Sequence, residues 1–152
     1  MDAIGLRILE HLRDNARVNA SEIGESINMS VSAVIERIKK LEAAGIIKQY
    51  TVVLDNKKID KDVSAYISVR LEHPKYHDPF TAAVNEIDEV TECHYIAGDF
   101  DFMLRLFTST TESLTKLLNQ VKSLPGVSLT RTLVVLSTIK EASTVLPTIE
   151  KN

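Results

Sequence analysis

Residues 28–45 read Asn-Met-Ser-Val-Ser-Ala-Val-Ile-Glu-Arg-Ile-Lys-Lys-Leu-Glu-Ala-Ala-Gly, and this stretch decides how the first third of the chain folds. Ser30 stands directly before a helical pattern, where its hydroxyl is suited to accept a hydrogen bond from the first turn. Gly45 follows the last turn, where a left-handed residue ends a helix at little cost. Between them, three apolar residues recur at i, i+4 and i+7: Val34, Ile38 and Leu41. The pattern predicts a helix with one narrow apolar stripe.

The outer side of this helix is predicted to face a polar partner, and the major groove of DNA, which admits an α-helix, is a natural candidate. Ile35 is suited to contact a thymine methyl group, and Glu36 to accept a hydrogen bond from cytosine. Arg37 is expected either to reach phosphate or to pair with Glu22 or Glu42. The alternative is an ordinary packed helix with a solvated charged face. The candidate DNA-binding residues are Ser30, Ser32, Ile35, Glu36, Arg37, Lys39 and Lys40.

Two earlier patterns complete a helix-turn-helix domain. Residues 2–14 carry apolar side chains at helical spacing, with Asp2 as a candidate N-cap. Residues 19–22, Asn-Ala-Ser-Glu, have the form of a capping box with Asn in the Ser/Thr place, and begin a second helix. Gly24 inside it is expected to cost about 1 kcal/mol against Ala if the site is exposed. Asn28 then tolerates the left-handed conformation of a tight turn, which gives the order of helices in a helix-turn-helix domain.

The chain after Gly45 changes character. Residues 46–54 are rich in β-branched side chains and predict a strand, or the small ribbon of a winged variant. The turn-like residues that follow complete a linker. We therefore predict three parts: a helix-turn-helix DNA-binding domain over 1–48, a strand and linker over 49–62, and a ligand-sensing and oligomerisation domain over 63–152.

The second half alternates between strand and helix patterns. The predicted elements are strand 63–71, helix 80–87, strands 90–97 and 100–107, helix 111–123 and strand 127–139. This β-α-β-β-α-β order is that of a ferredoxin-like sandwich with both helices on one side of the sheet. The fold class is therefore α+β. The other side of the sheet is expected to carry too much apolar area to stay wet, and so to cover another subunit, through Tyr66, Tyr95, Met103 and Phe107 or their neighbours.

The composition is that of a soluble globular protein, with 152 residues of which 44% are hydrophobic and 26% charged. No apolar run approaches the roughly 20 residues of a membrane helix, so no membrane partner is expected. A single cysteine, Cys93, fits a reducing compartment. Because the first residues also lack the order of an export signal, we predict a cytoplasmic location.

The net charge of −3 is unfavourable for a DNA-binding protein, because affinity for DNA rests largely on the neutralisation of phosphates. The deficit lies in the second half. Residues 1–50 hold 7 bases and 7 acids, whereas the chain from residue 51 holds 11 bases and 14 acids. One copy is therefore expected to bind DNA weakly, and an oligomer that sums several contacts is predicted.

Short motifs occur in a fixed order along nearly the whole chain. In the first domain they are Asn15-Ala16-Arg17, Glu22-Ile23, Met29-Ser30-Val31-Ser32, Arg37-Ile38, Leu41-Glu42 and Gly45-Ile46-Ile47. In the second they are Glu92-Cys93-His94, Ala97-Gly98-Asp99-Phe100-Asp101, Leu124-Pro125-Gly126-Val127 and Thr130-Arg131-Thr132. No single motif is diagnostic, but the ordered set resembles the Lrp/AsnC family of transcriptional regulators, also called feast/famine proteins. Gly5, Gly24 and Asn28 depart from the family pattern.

The resemblance implies a DNA-binding first domain and a second domain that binds an effector and forms homodimers assembling to octamers. Effectors in the family are mostly amino acids bound between dimers. Asp101 is suited to accept hydrogen bonds from an ammonium group, and an open turn at Gly98 offers backbone N–H groups to a carboxylate. The alternative for Asp101 is capping of the turn. The implied effector-binding residues are Tyr95, Gly98, Asp101, Leu133, Val134 and Val135.

The expected function is a sequence-specific DNA-binding transcriptional regulator that responds to a small effector, with an amino acid as the expected ligand. One alternative is a low-specificity architectural protein that wraps DNA. Another is a tetrapyrrole decarboxylase, as in a few relatives of the family, but that role needs grouped cations and a proton donor, whereas the second domain is acidic on balance and its histidines are scattered. No enzyme activity or cofactor is predicted. No metal site is predicted either, because Pro74 disrupts the helix that would align His73 with His77.

Overall fold

The computed structural model describes residues 1–148. It divides into two compact units, one formed by Met1–Val53 together with the segment that begins at Lys140, and one formed by Leu54–Ile139. Within residues 1–148 no helix is long and apolar enough to cross a membrane. The predicted domain limits at residues 48 and 62 stay a prediction.

The first unit contains three helices, α1 (Ala3–Asp14), α2 (Ala20–Ile27) and α3 (Val31–Ala43). Each begins at a polar side chain that accepts a hydrogen bond from the first turn, which satisfies an otherwise unpaired N–H group. These caps are Asp2 (from the N–H of Gly5, 2.8 Å), Asn19 (from Glu22, 2.9 Å) and Ser30 (from Ala33, 3.3 Å). The three predicted helix starts are confirmed.

The core of this unit draws on all three helices. Its buried residues are Ile8, Ile23, Ile27, Val34 and Leu41. Two residues of the α3 stripe, Val34 and Leu41, are therefore inside, and Ile38 packs against the same core while partly buried. Asn28 has a φ of 56°, as predicted, and this left-handed residue turns the chain from α2 into α3. The arrangement leaves the side of α3 opposite the stripe exposed to solvent.

Gly24 is buried, so the expectation of a mildly unfavourable exposed glycine is wrong. A Cβ atom at this position would lie 2.6 Å from the carbonyl oxygen of Met29. The same turn is closed by a hydrogen bond from the N–H of Met29 to the carbonyl of Gly24, at 2.9 Å. Glycine is needed because the chain that leads into α3 passes directly over α2.

Replacing Gly24 with alanine is expected to lower the free energy of unfolding by roughly 1–2 kcal/mol. Forcing a methyl group into a packed site costs about 1–3 kcal/mol, which outweighs the gain of about 1 kcal/mol in helix propensity. Gly5→Ala is the matched control, because a Cβ atom at this buried glycine of α1 would lie 3.1 Å from side-chain atoms of Asp2 and Met1, rather than within 3 Å of the backbone. Urea unfolding of both variants would contradict the packing argument if they lost equal stability.

The predicted strand over 46–54 is absent: residues 46–55 form no strand in the chain. A strand needs a neighbour that accepts and donates its ladder hydrogen bonds, and this segment has none among residues 1–148. Val52 and Val53 are 76% and 73% exposed. A short 3-10 helix, Asn56–Ile59, follows in the second unit.

The second unit is a four-stranded antiparallel sheet with two helices. Its strands are β1 (Val63–Leu71), β2 (Val90–Tyr95), β3 (Phe102–Thr108) and β4 (Val127–Val134). Its helices are α4 (His77–Asn85) and α5 (Thr111–Lys122), and a short 3-10 helix, Pro74–Tyr76, precedes α4. The strands lie in the order β2-β3-β1-β4. This is the predicted ferredoxin-like β-α-β-β-α-β arrangement.

Several boundaries differ from prediction, two of them by three residues or more. The last strand ends at Val134 rather than residue 139, because its partner β1 offers Ala65 opposite Val134 and only one more bond, from the N–H of Val135 to the carbonyl of Ser64 (2.8 Å). Helix α4 begins three residues earlier than predicted, with Pro79 inside its first turn. Proline is tolerated there because first-turn N–H groups have no helical partner.

The helix side of the sheet forms the second core. Its buried residues include Ile67, Val69, Phe80, Phe102, Leu104, Leu106 and Val121. We call the opposite side the open face. It carries Tyr66 and Phe107 beside Arg105, whose guanidinium carbon lies 5.8 Å and 4.9 Å from the two ring centroids. The predicted apolar residues on this face are confirmed except for Tyr95.

Tyr95 lies on the helix side. It pairs with the buried Phe102, and its ring centroid lies 5.3 Å from that of Phe102. A β-bulge between Val90 and Glu92 adds one residue to β2. Because side chains alternate along a strand, one extra residue moves every later side chain to the other face.

Candidate DNA-binding surface and effector turn

The outer side of α3 is open to solvent. Ser32, Glu36 and Lys39 are exposed, and Ile35 has 41% of its surface exposed. Val31, one turn before Ile35, is 44% exposed and was missed by the sequence analysis. The structure thus gathers four of the predicted residues, with an apolar pair at their edge, on one accessible helix surface.

The basic side chains that flank this surface are already paired. Arg37 Nη1 lies 2.6 Å from Asp2 Oδ2, rather than pairing with Glu22 or Glu42 as the sequence suggested. Lys40 Nζ lies 2.7 Å from Glu36 Oε1. The N–H of Gly5 and then Arg37 lower the pKa of Asp2, and the hydrogen bond from Lys40 lowers that of Glu36. Exposed pairs of this kind contribute little, so both bases remain able to exchange their carboxylate for a phosphate.

Lys39 differs from its neighbours, because it forms no ion pair with any of residues 1–148. Ser30 is already engaged, since its hydroxyl caps α3 and lies 3.2 Å from Ser32 Oγ. The structure therefore ranks Lys39 above Ser30 as a side chain free to contact DNA.

The chain that leaves α3 is tied back to it. The hydroxyl of Tyr50 donates to Glu42 Oε1 at 2.8 Å. Burial and then this carboxylate raise the pKa of Tyr50 to about 12. The phenol stays protonated at neutral pH and keeps its hydrogen bond to Glu42. This bond holds the beginning of the segment after α3 although the segment forms no strand.

The predicted effector turn lies between β2 and β3. Gly98 has a φ of 141°, and nothing lies within 4 Å of the position of a Cβ, so the turn is open. Asp101 is bound into the fold on three sides. Its carboxylate Oδ2 accepts a hydrogen bond from the N–H of Leu71 at 2.7 Å, its N–H donates to Val69, and its carbonyl accepts from Ile96. Oδ2 is therefore bound to strand β1 and does not cap the turn to which Asp101 belongs.

Replacing Asp101 with alanine is expected to lower stability by about 1–3 kcal/mol, because the N–H of Leu71 would lose its acceptor. Asp101→Asn is the better probe, since an amide oxygen still accepts from Leu71 while the negative charge is gone. We expect the free energy of unfolding of Asp101→Asn, measured by thermal unfolding, to lie within about 1 kcal/mol of that of the wild type. An asparagine variant as unstable as the alanine variant would show that the bond to Leu71 is not what holds this turn.

The remaining predicted effector residues are not brought together within one chain. Tyr95 is 70% exposed and lies on edge strand β2, with its ring 5.1 Å from that of His77. Leu133 and Val134 lie on the opposite edge strand, β4, and are 54% and 52% exposed. Strands β3 and β1 lie between the two edge strands. At the usual strand spacing, β2 and β4 are therefore roughly 14 Å apart.

Neither Cys93 nor the metal-ligating side chains of residues 1–148 form a further candidate site. Burial raises the pKa of the Cys93 thiol, which keeps it protonated and unreactive. No group of three metal-ligating side chains occurs among the described residues. The sequence analysis also missed a pair of arginines, Arg70 and Arg131, which lie on the ring of Phe100 beside the effector turn.

Comparisons with protein families cover both units. Residues 1–48 match the winged helix-turn-helix DNA-binding family, and residues 64–145 match the Lrp/AsnC ligand binding domain. The chain is 32% identical over 146 residues to the leucine-responsive regulatory protein of Salmonella typhimurium, covering 94% of this chain and 89% of that protein. The Escherichia coli K12 protein of the same name is 31% identical over the same shares.

Solved structures agree with these matches. A transcriptional regulator of Neisseria meningitidis in complex with L-Met has a TM-score of 0.91 at 28% identity, with 95% of this chain and 96% of that chain covered. E. coli AsnC has a TM-score of 0.90 at 27% identity, covering 97% and 99%. B. subtilis LrpC has a TM-score of 0.85 at 32% identity, covering 92% and 97%. The exposed outer side of α3, the ferredoxin-like second unit and these matches together establish that the chain is a DNA-binding transcriptional regulator of the Lrp/AsnC family, with a ligand-binding second domain.

Proposed function

We propose that this regulator binds specific DNA sequences through the outer side of α3 and that an amino acid controls it. The observation that carries the first half is the accessible helix surface of Ser32, Ile35, Glu36 and Lys39. Such a surface suits the major groove, where each base pair presents a distinct set of donors, acceptors and methyl groups. Arg37 and Lys40 stand at its borders as phosphate contacts in exchange for their present partners. Such a protein would act in the cytoplasm, beside the chromosome.

The proposal includes a homodimer that sets two copies of α3 into successive major grooves, with half-sites about one helical turn apart. The open face, with Tyr66 and Phe107, supplies apolar area for contact between copies. Assembly to an octamer would sum several weak DNA contacts, which offsets the net charge of −3.

The effector site in this proposal is shared between chains. Tyr95 lies on edge strand β2, and Leu133 and Val134 lie on the opposite edge strand β4, so a compact site that contains all three needs them from different copies. The L-Met complex of the Neisseria meningitidis regulator and the name of the leucine-responsive relatives favour an amino acid with an apolar side chain. An effector of this kind shifts the assembly only by its difference in affinity between the two arrangements.

The experiment begins with selection of bound duplexes from a random-sequence library. Gel-shift titrations of the selected duplex and of a scrambled duplex then follow, with and without each of the twenty amino acids. We expect a preference for the selected duplex of at least 100-fold, and a change of at least fivefold in affinity with one or more amino acids. Equal binding of both duplexes, with footprints that extend as protein is added, would instead favour the architectural alternative.

A further inference from the structure

Two arginines share one aromatic ring beside the effector turn. Arg70 lies on β1 and Arg131 on β4, and the strand register places them as diagonal neighbours on the open face. The guanidinium carbons of Arg70 and Arg131 lie 5.4 Å and 5.3 Å from the centroid of the Phe100 ring. Phe100 itself belongs to the turn that follows Gly98. Three residues from three parts of the chain thus form one cationic cluster.

No carboxylate of residues 1–148 forms an ion pair with Arg70 or Arg131. Other bases of the same unit do have acidic partners, such as Arg105 with Glu92 (3.3 Å) and Lys116 with Glu112 (2.9 Å). Two like charges held on one ring repel each other, so an anion that contacts both is favoured there.

The geometry of Arg70 prepares it for such a ligand. Its Nε donates to the carbonyl oxygen of Asp99 at 2.7 Å, which fixes the side chain and leaves the terminal Nη groups for another acceptor. The face of Phe100 attracts both guanidinium groups through its negative π surface. A planar guanidinium held in this way binds a carboxylate through parallel hydrogen bonds.

We propose that Arg70 and Arg131 bind the carboxylate of the small-molecule effector, with Phe100 as the surface that orients them. The inference rests on the proposed amino-acid response and assigns the carboxylate to side chains rather than to the backbone at Gly98. Arg70 is hydrogen-bonded to the same turn that carries Asp101, so the arginine site and the predicted ammonium acceptor are adjacent.

The test uses the full-length protein and calorimetric titration with each L-amino acid. Every amino acid that binds is compared with its carboxamide, which keeps the ammonium group and the side chain but lacks the negative charge. We expect the wild type to prefer the acid by at least tenfold. Arg131→Gln and Arg70→Gln are expected to weaken the acid by at least tenfold and to remove the preference. Lys116→Gln, which changes a base already paired with Glu112, should leave both affinities unchanged.

Arg131→Gln carries the test if Arg70→Gln fails to fold, because Arg131 makes no hydrogen bond to another described side chain or backbone group outside the strand ladder. Pyruvate and acetate are titrated as simple carboxylates. If an amino acid binds the wild type and the glutamine variants equally, the arginine site is overturned while the amino-acid response stands. If only pyruvate or acetate binds, and the glutamine variants bind it more weakly, the arginine site is supported and the proposed amino-acid response is overturned. If none binds, or if Arg131→Gln only dissociates the oligomer, the arginine site is overturned.

Discussion

Replacing Lys39 with glutamate is expected to lower the affinity for the selected duplex by at least 100-fold at low salt. Lys39 is exposed on α3 and has no ion-pair partner within residues 1–148, so its charge is available to a DNA phosphate in the proposed complex. The substitution lowers the net charge of each copy by two and that of a dimer by four. A phosphate contact contributes a slope of about 0.9 to the dependence of log affinity on log salt, so the slope of a dimer should become shallower by roughly 2.

The matched control is Lys122→Glu, which makes the same charge change at an exposed position of α5 in the second unit. Gel-shift titrations at several salt concentrations measure both variants. A general effect of net charge would weaken the two equally. Equal losses, or an unchanged salt slope for Lys39→Glu, would mean that α3 does not meet the phosphates.

Replacing Gly126 with alanine is expected to lower the free energy of unfolding by roughly 2–5 kcal/mol. Gly126 has a φ of 72°, a conformation that costs other residues about 1–2 kcal/mol, and a Cβ there would overlap the Cβ, Cγ and Cδ2 atoms of Tyr76. Cβ and Cγ of Tyr76 lie on the axis about which the ring rotates, so rotation of the ring does not relieve the overlap. Overpacking adds about 1–3 kcal/mol. The carbonyl of Gly126 also accepts a hydrogen bond from Glu72, so the backbone cannot move away freely.

Gly45→Ala separates the cost of the positive φ from the cost of the overlap with Tyr76. Gly45 has nearly the same φ, 69°, but nothing lies within 4 Å of its Cβ position. Its substitution should cost only the conformational part, about 1–2 kcal/mol. Urea unfolding followed by circular dichroism measures both variants. If Gly126→Ala is no less stable than Gly45→Ala, the close approach of Tyr76 does not contribute.

Local signals were sufficient for most of the fold. The caps at Asp2, Asn19 and Ser30 and the left-handed Asn28 depend on neighbours a few residues away, and all four were predicted. The alternation of apolar residues likewise gave the order of strands and helices. The strand over 46–54 failed because a strand depends on a partner, which the residues themselves do not reveal. Tyr95 was placed on the wrong face because a single bulge inverts the alternation.

The site was less predictable, because its contacts join distant parts of the chain. Arg37 pairs with Asp2, which is 35 residues away in the sequence, and Asp101 binds the N–H of Leu71, which is 30 residues away. The cluster on Phe100 needs three strands or turns to meet. Composition and motif order gave the residue types and the family, whereas the partner of each charge came only from the folded chain.

The most direct test of the account is a crosslink between α3 and DNA. Ser32→Cys and, as control, Gln120→Cys on α5 are made in a Cys93→Ser background, and the selected duplex carries thiol-tethered cytosines in its major groove. Both positions are exposed, so both thiols are equally able to react. We predict disulfide crosslinks for Ser32→Cys at one or two positions of each half-site and none for Gln120→Cys. Crosslinks at Gln120→Cys, or none at Ser32→Cys in a complex that still forms, would contradict binding through the outer side of α3.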